Sequence, residues 1–211
     1  VSMDLRDGPF TSHAASVVDR RAVASSMTGV DVVYHAATLH KPHVATHRRQ
    51  DFVDTNVTGT LNLLEEAVAH RVSAFVFTST TSTFGDALVP PPGEPAAWIT
   101  EDVAPRPKNI YGVTKVSGED LCQLFSRNHR LPCVVLRTSR FFPEEDDDRR
   151  MHTAYEPANT KVNELLYRRA DIEDIVTAHL AAARRAADLG FGRYIISATT
   201  PFTPADLPAL R

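Results

Sequence analysis

Tyr111-Gly112-Val113-Thr114-Lys115 puts a tyrosine and a lysine four residues apart. At that spacing the two side chains share one face of a helix, about one turn from each other. Upstream, the apolar run Ala74-Phe75-Val76-Phe77 passes directly into the hydroxyls Thr78-Ser79-Thr80-Thr81-Ser82. A free phenol has a pKa of about 10, too high for a good base at neutral pH. A neighbouring ammonium favours the phenolate and pulls that value down. A Thr or Ser hydroxyl can hold a substrate oxygen beside the phenol. Tyrosine, lysine and hydroxyl are the parts of a proton-transfer site.

Outward from this stretch, the chain alternates apolar runs with helical patterns. Val1 to Asp4 reads as the tail of a strand ending in an acid, and Gly8 and Pro9 break the chain after it. Ala15 to Asp19 reads as a short strand whose Asp19 caps a helix carrying Val23 and Met27, with Gly29 at its end. Asp31-Val32-Val33-Tyr34-His35-Ala36-Ala37 is a buried strand ending in small residues. From Asp51 to Arg71, Val57, Leu61, Leu64 and Val68 recur at helical spacing. Six prolines between Pro90 and Pro107 prevent regular helix there. Tyr111 to Asn128 is a helix with Val116, Leu121, Leu124 and Phe125 inward and Glu119 and Asp120 toward solvent. Leu131 to Leu136 is a strand ending at Arg137. Ile172, Val176, Leu180 and Ala183 mark one face of a late helix, and Gly190 to Ser197 is a last strand.

The 211 residues and a 43% apolar content allow a sizeable core. A net charge of -3 gives no electrostatic reason to expect nucleic acid or a membrane surface as partner. No apolar run approaches the roughly 18 residues that span a bilayer. Cys122 and Cys133 form neither a C-x-x-C motif nor a disulfide framework, and a reducing cytoplasm is the expected location. His35, His40, His43 and His47 invite a metal reading. A polar, partly exposed loop is the better account, and no metal is expected. The acids from Glu144 to Asp148 read as a solvated loop.

The order of strand, hydroxyl cluster, proline-rich loop and Tyr-Lys helix resembles the extended branch of the short-chain dehydrogenase/reductase family, which contains NAD-dependent epimerases and dehydratases. Asn56-Val57-Thr58-Gly59-Thr60 is similar to its N-x-x-G-T helix, and the run from Phe77 to Gly85 is similar to its hydroxyl-rich segment. The resemblance implies a Rossmann-like, doubly wound parallel α/β sheet. It divides the chain into a partial dinucleotide-binding domain, 1–139, and a partial substrate-binding region, 140–211, interleaved with the last strands.

By the same resemblance Thr80, Tyr111 and Lys115 are catalytic. Asp4, Ala36, Ala37 and Asn56 meet the cofactor together with Tyr111 and Lys115. Asp4 falls where an acid meets the adenosine ribose, which favours NAD, while Arg6 leaves NADP open. Thr81, Arg140 and Arg169 fall on substrate positions. Thr81 and Ser82 stand where the sugar dehydratases carry an acid and a base, which argues against dehydration. Arg140 replaces the Asn that holds a nucleotide-sugar diphosphate. The implied activity is hydride transfer at a hydroxyl or carbonyl carbon, by an oxidoreductase or epimerase. The implied partners are a small-molecule substrate and a second copy in a homodimer. A catalytically silent dinucleotide-sensing or scaffold relative is the alternative.

The family's G-x-x-G-x-x-G loop is absent from the sequence. The resemblance begins at the family's second strand, so the chain is expected to lack the central first strand and to be a fragment of a longer enzyme. The missing strand leaves either a gap bridged by side chains or direct pairing of the Val1 strand with the Asp31 strand.

Overall fold

The computed structural model describes residues 1–142 and 169–210. The acidic run from Glu144, with Arg149, Arg150 and Arg168, lies outside the described residues. Four parallel strands form the main sheet: β3 (Val32–His35), β4 (Ala74–Thr80), β5 (Cys133–Thr138) and β8 (Phe191–Ile196), in the order β3-β4-β5-β8. Two short parallel pairs flank it, β1 (Met3–Asp4) with β2 (His13–Ala14), and β6 (Arg140–Phe142) with β7 (Arg169–Asp171). Consecutive parallel strands require crossovers, and helices supply them.

One face of the sheet carries α1 (Arg20–Ser26), α3 (Gly59–Ala69) and α4 (Ile110–His129). Val23, Met27, Leu63, Leu64, Cys122 and Phe125 pack there on Val33, Phe75, Phe77, Cys133 and Val135. The other face carries α5 (Ile172–Leu189), where Ala182 and Ala186 pack on Ala74, Val76, Val134 and Leu136. Phe75 and Phe77 point one way and Ala74 and Val76 the other, as the two-residue period of a strand dictates. Helices on both faces of a parallel sheet make the fold doubly wound, as the sequence implied.

Close approach of α3 and α4 depends on two glycines. A Cβ on Gly59 would lie 2.5 Å from Val17 Cγ2, and one on Gly118 would lie 2.6 Å from Phe77 Cζ. Asp19 caps α1 as expected, accepting from the N–H groups of Arg21 and Ala22 at 3.0 and 3.2 Å.

Several expectations change. The strand expected at Ala15 to Asp19 lies earlier, at His13–Ala14, because Asp19 and Ser16 are used in turn and cap hydrogen bonds. Among the described residues the Val1 strand pairs with β2 and not with the Asp31 strand. A gap therefore stands between β1 and β3, with Met3 reaching into the core cluster.

The helix from Asp51 to Arg71 is not regular. It runs as α2 (Arg49–Phe52), a π-helical stretch over Val53–Thr58, and α3. The inward face of α4 holds Tyr111, Thr114, Lys115, Gly118, Glu119, Cys122 and Phe125, while Leu124 is exposed. Glu119 is buried rather than solvated, because Arg137 of β5 meets it inside the protein. On α5 the stripe that shares one face divides: Ile172, Val176 and Leu180 are exposed, while Ala183 packs against the core. Ile175, Ala182 and Ala186 are buried, the two alanines letting the helix approach the sheet closely.

Candidate active site

Three elements converge at the carboxyl end of β4. The strand ends on Thr80, whose hydroxyl accepts from Ser82 N–H at 3.1 Å and so starts a tight turn. Asn109 caps α4, its side chain accepting from Gly112 N–H at 3.1 Å, which sets Tyr111 in the first turn. Lys115 follows one turn later.

Tyr111 is buried, and burial pushes its phenol above the ordinary value, with the neighbouring Thr80 hydroxyl pulling the other way. Lys115 is wholly buried. Its Nζ donates to the Thr78 carbonyl at 2.6 Å and lies 4.0 Å above the centre of the Phe77 ring. Burial lowers the ammonium pKa to about 7, against the pull of the Glu119 carboxylate. The expected depression of the phenol by Lys115 is therefore not the arrangement found. The ammonium is itself desolvated and is drawn to the Thr78 carbonyl, and burial governs Tyr111.

Asn56 sits in the π-helical stretch and is buried. Its Oδ1 accepts from Leu39 N–H at 2.8 Å and from the Thr38 hydroxyl at 3.0 Å. Its Nδ2 donates to the Leu39 carbonyl at 2.9 Å and to the Thr114 hydroxyl at 3.0 Å. One amide thus ties the segment after β3 to the face of α4 that carries Tyr111 and Lys115. A π turn widens the helix locally, and such turns recur where a side chain must be set against its neighbours.

His35, at the end of β3, lies within 2.8 Å of the Thr60 hydroxyl through Nε2, and Thr60 donates to the Asn56 carbonyl at 2.6 Å. Because that hydroxyl proton is used, Nε2 carries the imidazole proton, and Nδ1 is left buried without a partner. Burial first and Lys115 second lower the His35 pKa to about 3, so the ring is neutral.

The structure brings Thr80, Tyr111, Lys115 and Asn56 together. Ala36 and Ala37 follow β3 with exposed, small side chains at the same sheet edge. Asp4 stands apart, on the β1–β2 pair, where its carboxylate accepts from Arg6 N–H at 2.9 Å. Thr81 is half-buried in the turn after β4. Arg140 and Arg169 are register neighbours on β6 and β7, Arg169 wholly buried.

Of the other histidines, His40, His43 and His47 stack edge to face in an exposed segment. Among the described residues no group of three His, Cys, Asp or Glu is placed to hold a metal ion. A cavity of about 580 Å³ opens at the start of α4, lined by Val44, His47, Arg48, Arg49, Lys108, Asn109 and Ile110. It adjoins Tyr111 in sequence, but Thr80, Tyr111 and Lys115 do not line it.

The buried hydrogen bonds of His35, Thr114, Glu119 and Arg137 escaped the sequence reading. Glu119 had a signal: it lies four residues after Lys115 and eight after Tyr111, on the same helical face.

The model of the NAD dependent epimerase/dehydratase family matches residues 3–196. The chain belongs to that family. Among its epimerase/dehydratase relatives is an uncharacterised UDP-glucose epimerase of Bacillus subtilis, 31% identical over 134 residues, 62% of this chain and 39% of the relative. Another is an L-arabinose 1-dehydrogenase (NAD(P)(+)) of Haloferax volcanii, 33% identical over 141 residues, 63% of this chain and 53% of the relative. The chain thus spans about half or less of the length of these curated relatives. Among solved structures, a short-chain dehydrogenase/reductase superfamily protein from Agrobacterium tumefaciens with bound NAD aligns at a TM-score of 0.72 and 25% identity. That alignment covers 99% of this chain and 73% of the other.

Proposed function

We propose that this chain carries the catalytic part of an NAD-dependent oxidoreductase or epimerase that acts at a hydroxyl or carbonyl carbon, with a nucleotide sugar as the favoured substrate class. The observation that carries the reading is the convergence of Thr80, Tyr111 and Lys115 at one strand end. Relatives whose names include a UDP-glucose epimerase and an L-arabinose dehydrogenase support it.

The residues fit the nicotinamide-ribose half of a dinucleotide. Lys115 and Tyr111 offer an ammonium and a phenol, and Ala36 and Ala37 leave room above the sheet edge. The pyrophosphate half finds no glycine-rich cradle in the 211 residues. When bound, NAD supplies a hydride acceptor or donor. Tyr111 moves the proton at the reacting oxygen, and Thr80 orients that oxygen. With its phenol raised by burial, Tyr111 is protonated at neutral pH and set to donate to a carbonyl oxygen. In the reverse direction Lys115 stabilises the phenolate once its ammonium turns from the Thr78 carbonyl. Asn56 positions the Leu39 segment against the cofactor. Asp4 meets the adenosine ribose, with NAD favoured over NADP.

Residues 1–139 act as the dinucleotide part and residues 140–211 as the substrate part, where Thr81, Arg140 and Arg169 contact substrate. Thr81 and Ser82 provide no acid–base pair for dehydration. Two copies associate through the helices of Asn56 and Tyr111.

The test is a titration with NADH, followed by cofactor fluorescence, on the parent and on Tyr111→Phe. Turnover of a sugar alcohol or nucleotide sugar is measured on both. Binding by both proteins, with turnover in the parent reduced about 100-fold or more in the variant, supports the reading. Equal turnover in the two proteins overturns the role of Tyr111. Binding without any turnover in the parent favours the catalytically silent dinucleotide-sensing relative.

A further inference from the structure

Glu119 makes contacts that the proton-transfer reading does not use. Its side chain is 1% exposed. Oε1 accepts from the Ser79 hydroxyl at 2.5 Å. Arg137 Nε donates to both oxygens at 3.1 Å, and Arg137 Nη2 donates to Oε2 at 2.7 Å. Arg193 Nε lies 3.3 Å from Oε2 but is poorly aligned and makes no hydrogen bond. The Arg137 guanidinium lies over the Phe84 ring, 4.9 Å from its centre. Its Nη1 makes a long contact of 3.4 Å with the Glu101 carbonyl.

This carboxylate joins the three elements that hold the site. Glu119 lies on α4 one turn beyond Lys115. Ser79 is the residue before Thr80 on β4, and Arg137 is its register neighbour on β5. The next pair in register, Thr80 and Thr138, closes the same end of the sheet, where the Thr138 hydroxyl donates to the Ser79 carbonyl at 3.1 Å. A slide of α4 along β4 would change the distance between Tyr111 and Thr80. The Ser79–Glu119 contact opposes that slide directly.

Stability alone is a poor reason for such a group. Desolvating two charges offsets most of their attraction, and an apolar pair of similar volume is often as stabilising. Fixed geometry is what a fully bonded buried ion pair supplies and an apolar pair does not.

We propose that Ser79, Glu119 and Arg137 are positioning residues, a buried clamp that fixes the spacing between the Tyr111 phenol and the Thr80 hydroxyl. The inference rests on the proposed proton-transfer role of Tyr111. The ionisable groups around the clamp and the site are Lys115 and Cys122 on α4, Arg137 on β5, Arg193 on β8 and the neutral His35 on β3.

The experiment compares four variants of the full-length protein: Ser79→Ala, Ser79→Thr, the double variant Glu119→Met with Arg137→Met, and Tyr111→Phe. The double variant avoids leaving one buried charge unpaired, so it tests geometry without forcing unfolding. For Ser79→Ala and the double variant, kcat is expected to fall about tenfold or more while KM stays within about twofold, the pattern of an interaction felt only in the transition state. Ser79→Thr, which keeps the hydroxyl, is expected to restore most of the rate.

A second readout needs no turnover. The phenolate absorbance of each protein is titrated with pH, and the Tyr111 contribution is isolated by difference against the same variant carrying Tyr111→Phe. In Ser79→Ala the Tyr111 midpoint is expected to move up, because the Thr80 hydroxyl no longer holds the phenolate form as well. Folded variants with unchanged kcat and an unchanged Tyr111 midpoint overturn the clamp. Full turnover in Tyr111→Phe sinks the proton-transfer reading instead, and the phenol titration still decides whether the clamp sets the Thr80–Tyr111 contact.

Discussion

On the α4 face of the sheet, Phe75 and Phe77 are wholly buried beside charged and polar groups: Lys115, Glu119, Arg137, Asn56 and His35. On the α5 face, Ala182 and Ala186 meet Val76, Val134 and Leu136, and Ile172, Val176 and Leu180 face outward while Ile175 is buried. Both faces hold a helix on the same four strands, yet among the described residues the α4 face buries Lys115, Glu119, Arg137 and His35 together. Desolvating an ammonium and an imidazole raises the free energy of the folded chain. The α4 face carries that cost and holds the candidate site. The α5 face is plain packing, apart from the Thr78 hydroxyl 2.8 Å from His179 Nε2.

The contrast breaks hardest at Phe77, which carries the Lys115 ammonium and fills the notch left by Gly118. Phe77→Ala is expected to cost about 3–5 kcal/mol in urea unfolding, as for other large-to-small core changes. Lys115→Met works in the opposite direction. Its ammonium pKa is about 7 when folded against the ordinary 10.5, so the unfolded chain binds more protons between those values. Stability therefore falls as the pH drops through that window, and the full penalty is present below it. The variant is expected to gain on the order of a few kcal/mol at neutral pH while losing turnover, read by unfolding midpoint and sugar assay.

His35 gives a smaller, pH-gated effect. Its folded value near 3 lies below the ordinary 6.5, so the unfolded chain binds more protons between them. Stability contributed by the neutral ring is present above 6.5 and is lost as the pH falls toward 3. The parent is expected to unfold at steadily lower urea concentration below pH 6.5, and His35→Phe to show a shallower acid slope. At the quiet end, Val176→Ser on the outward stripe of α5 is expected to stay within about 0.5 kcal/mol of the parent. A larger loss would mean that this stripe is covered and that the two faces are more alike than described.

The parallel α/β order was legible because apolar runs such as Ala74 to Phe77 and Leu131 to Leu136 admit little besides buried strand. Tyr111 and Lys115 were legible as a pair because helical spacing puts them on one face, and Thr80 was singled out through the family resemblance. Burial of charge was not legible. Glu119 reads as a surface acid until Arg137, 18 residues away, is known to meet it. Which face of α5 turns inward was not legible for a related reason. Ile172, Val176 and Leu180 outrank alanine in hydrophobicity, but at Ala182 and Ala186 the sheet selects for close approach, and alanine permits it. The sign of the Tyr111 shift depended on where one ammonium points, and spacing along a helix does not fix that.

The π-helical stretch over Val53–Thr58 gives the segment between α2 and α3 one residue more per turn than its neighbours. Six residues at this wider pitch turn the chain about as far as five in an ordinary helix, so deleting one residue there would restore regular pitch and leave the two ends nearly in phase. Asn56 would swing off the Leu39 backbone while Leu63 and Leu64 kept their seats. The helix thus behaves like a vernier, its residue count setting the angle at which one amide reaches across to the neighbouring segment. A single-codon deletion in this stretch is expected to mistune that amide while sparing the hydrophobic contacts of the rest of the helix.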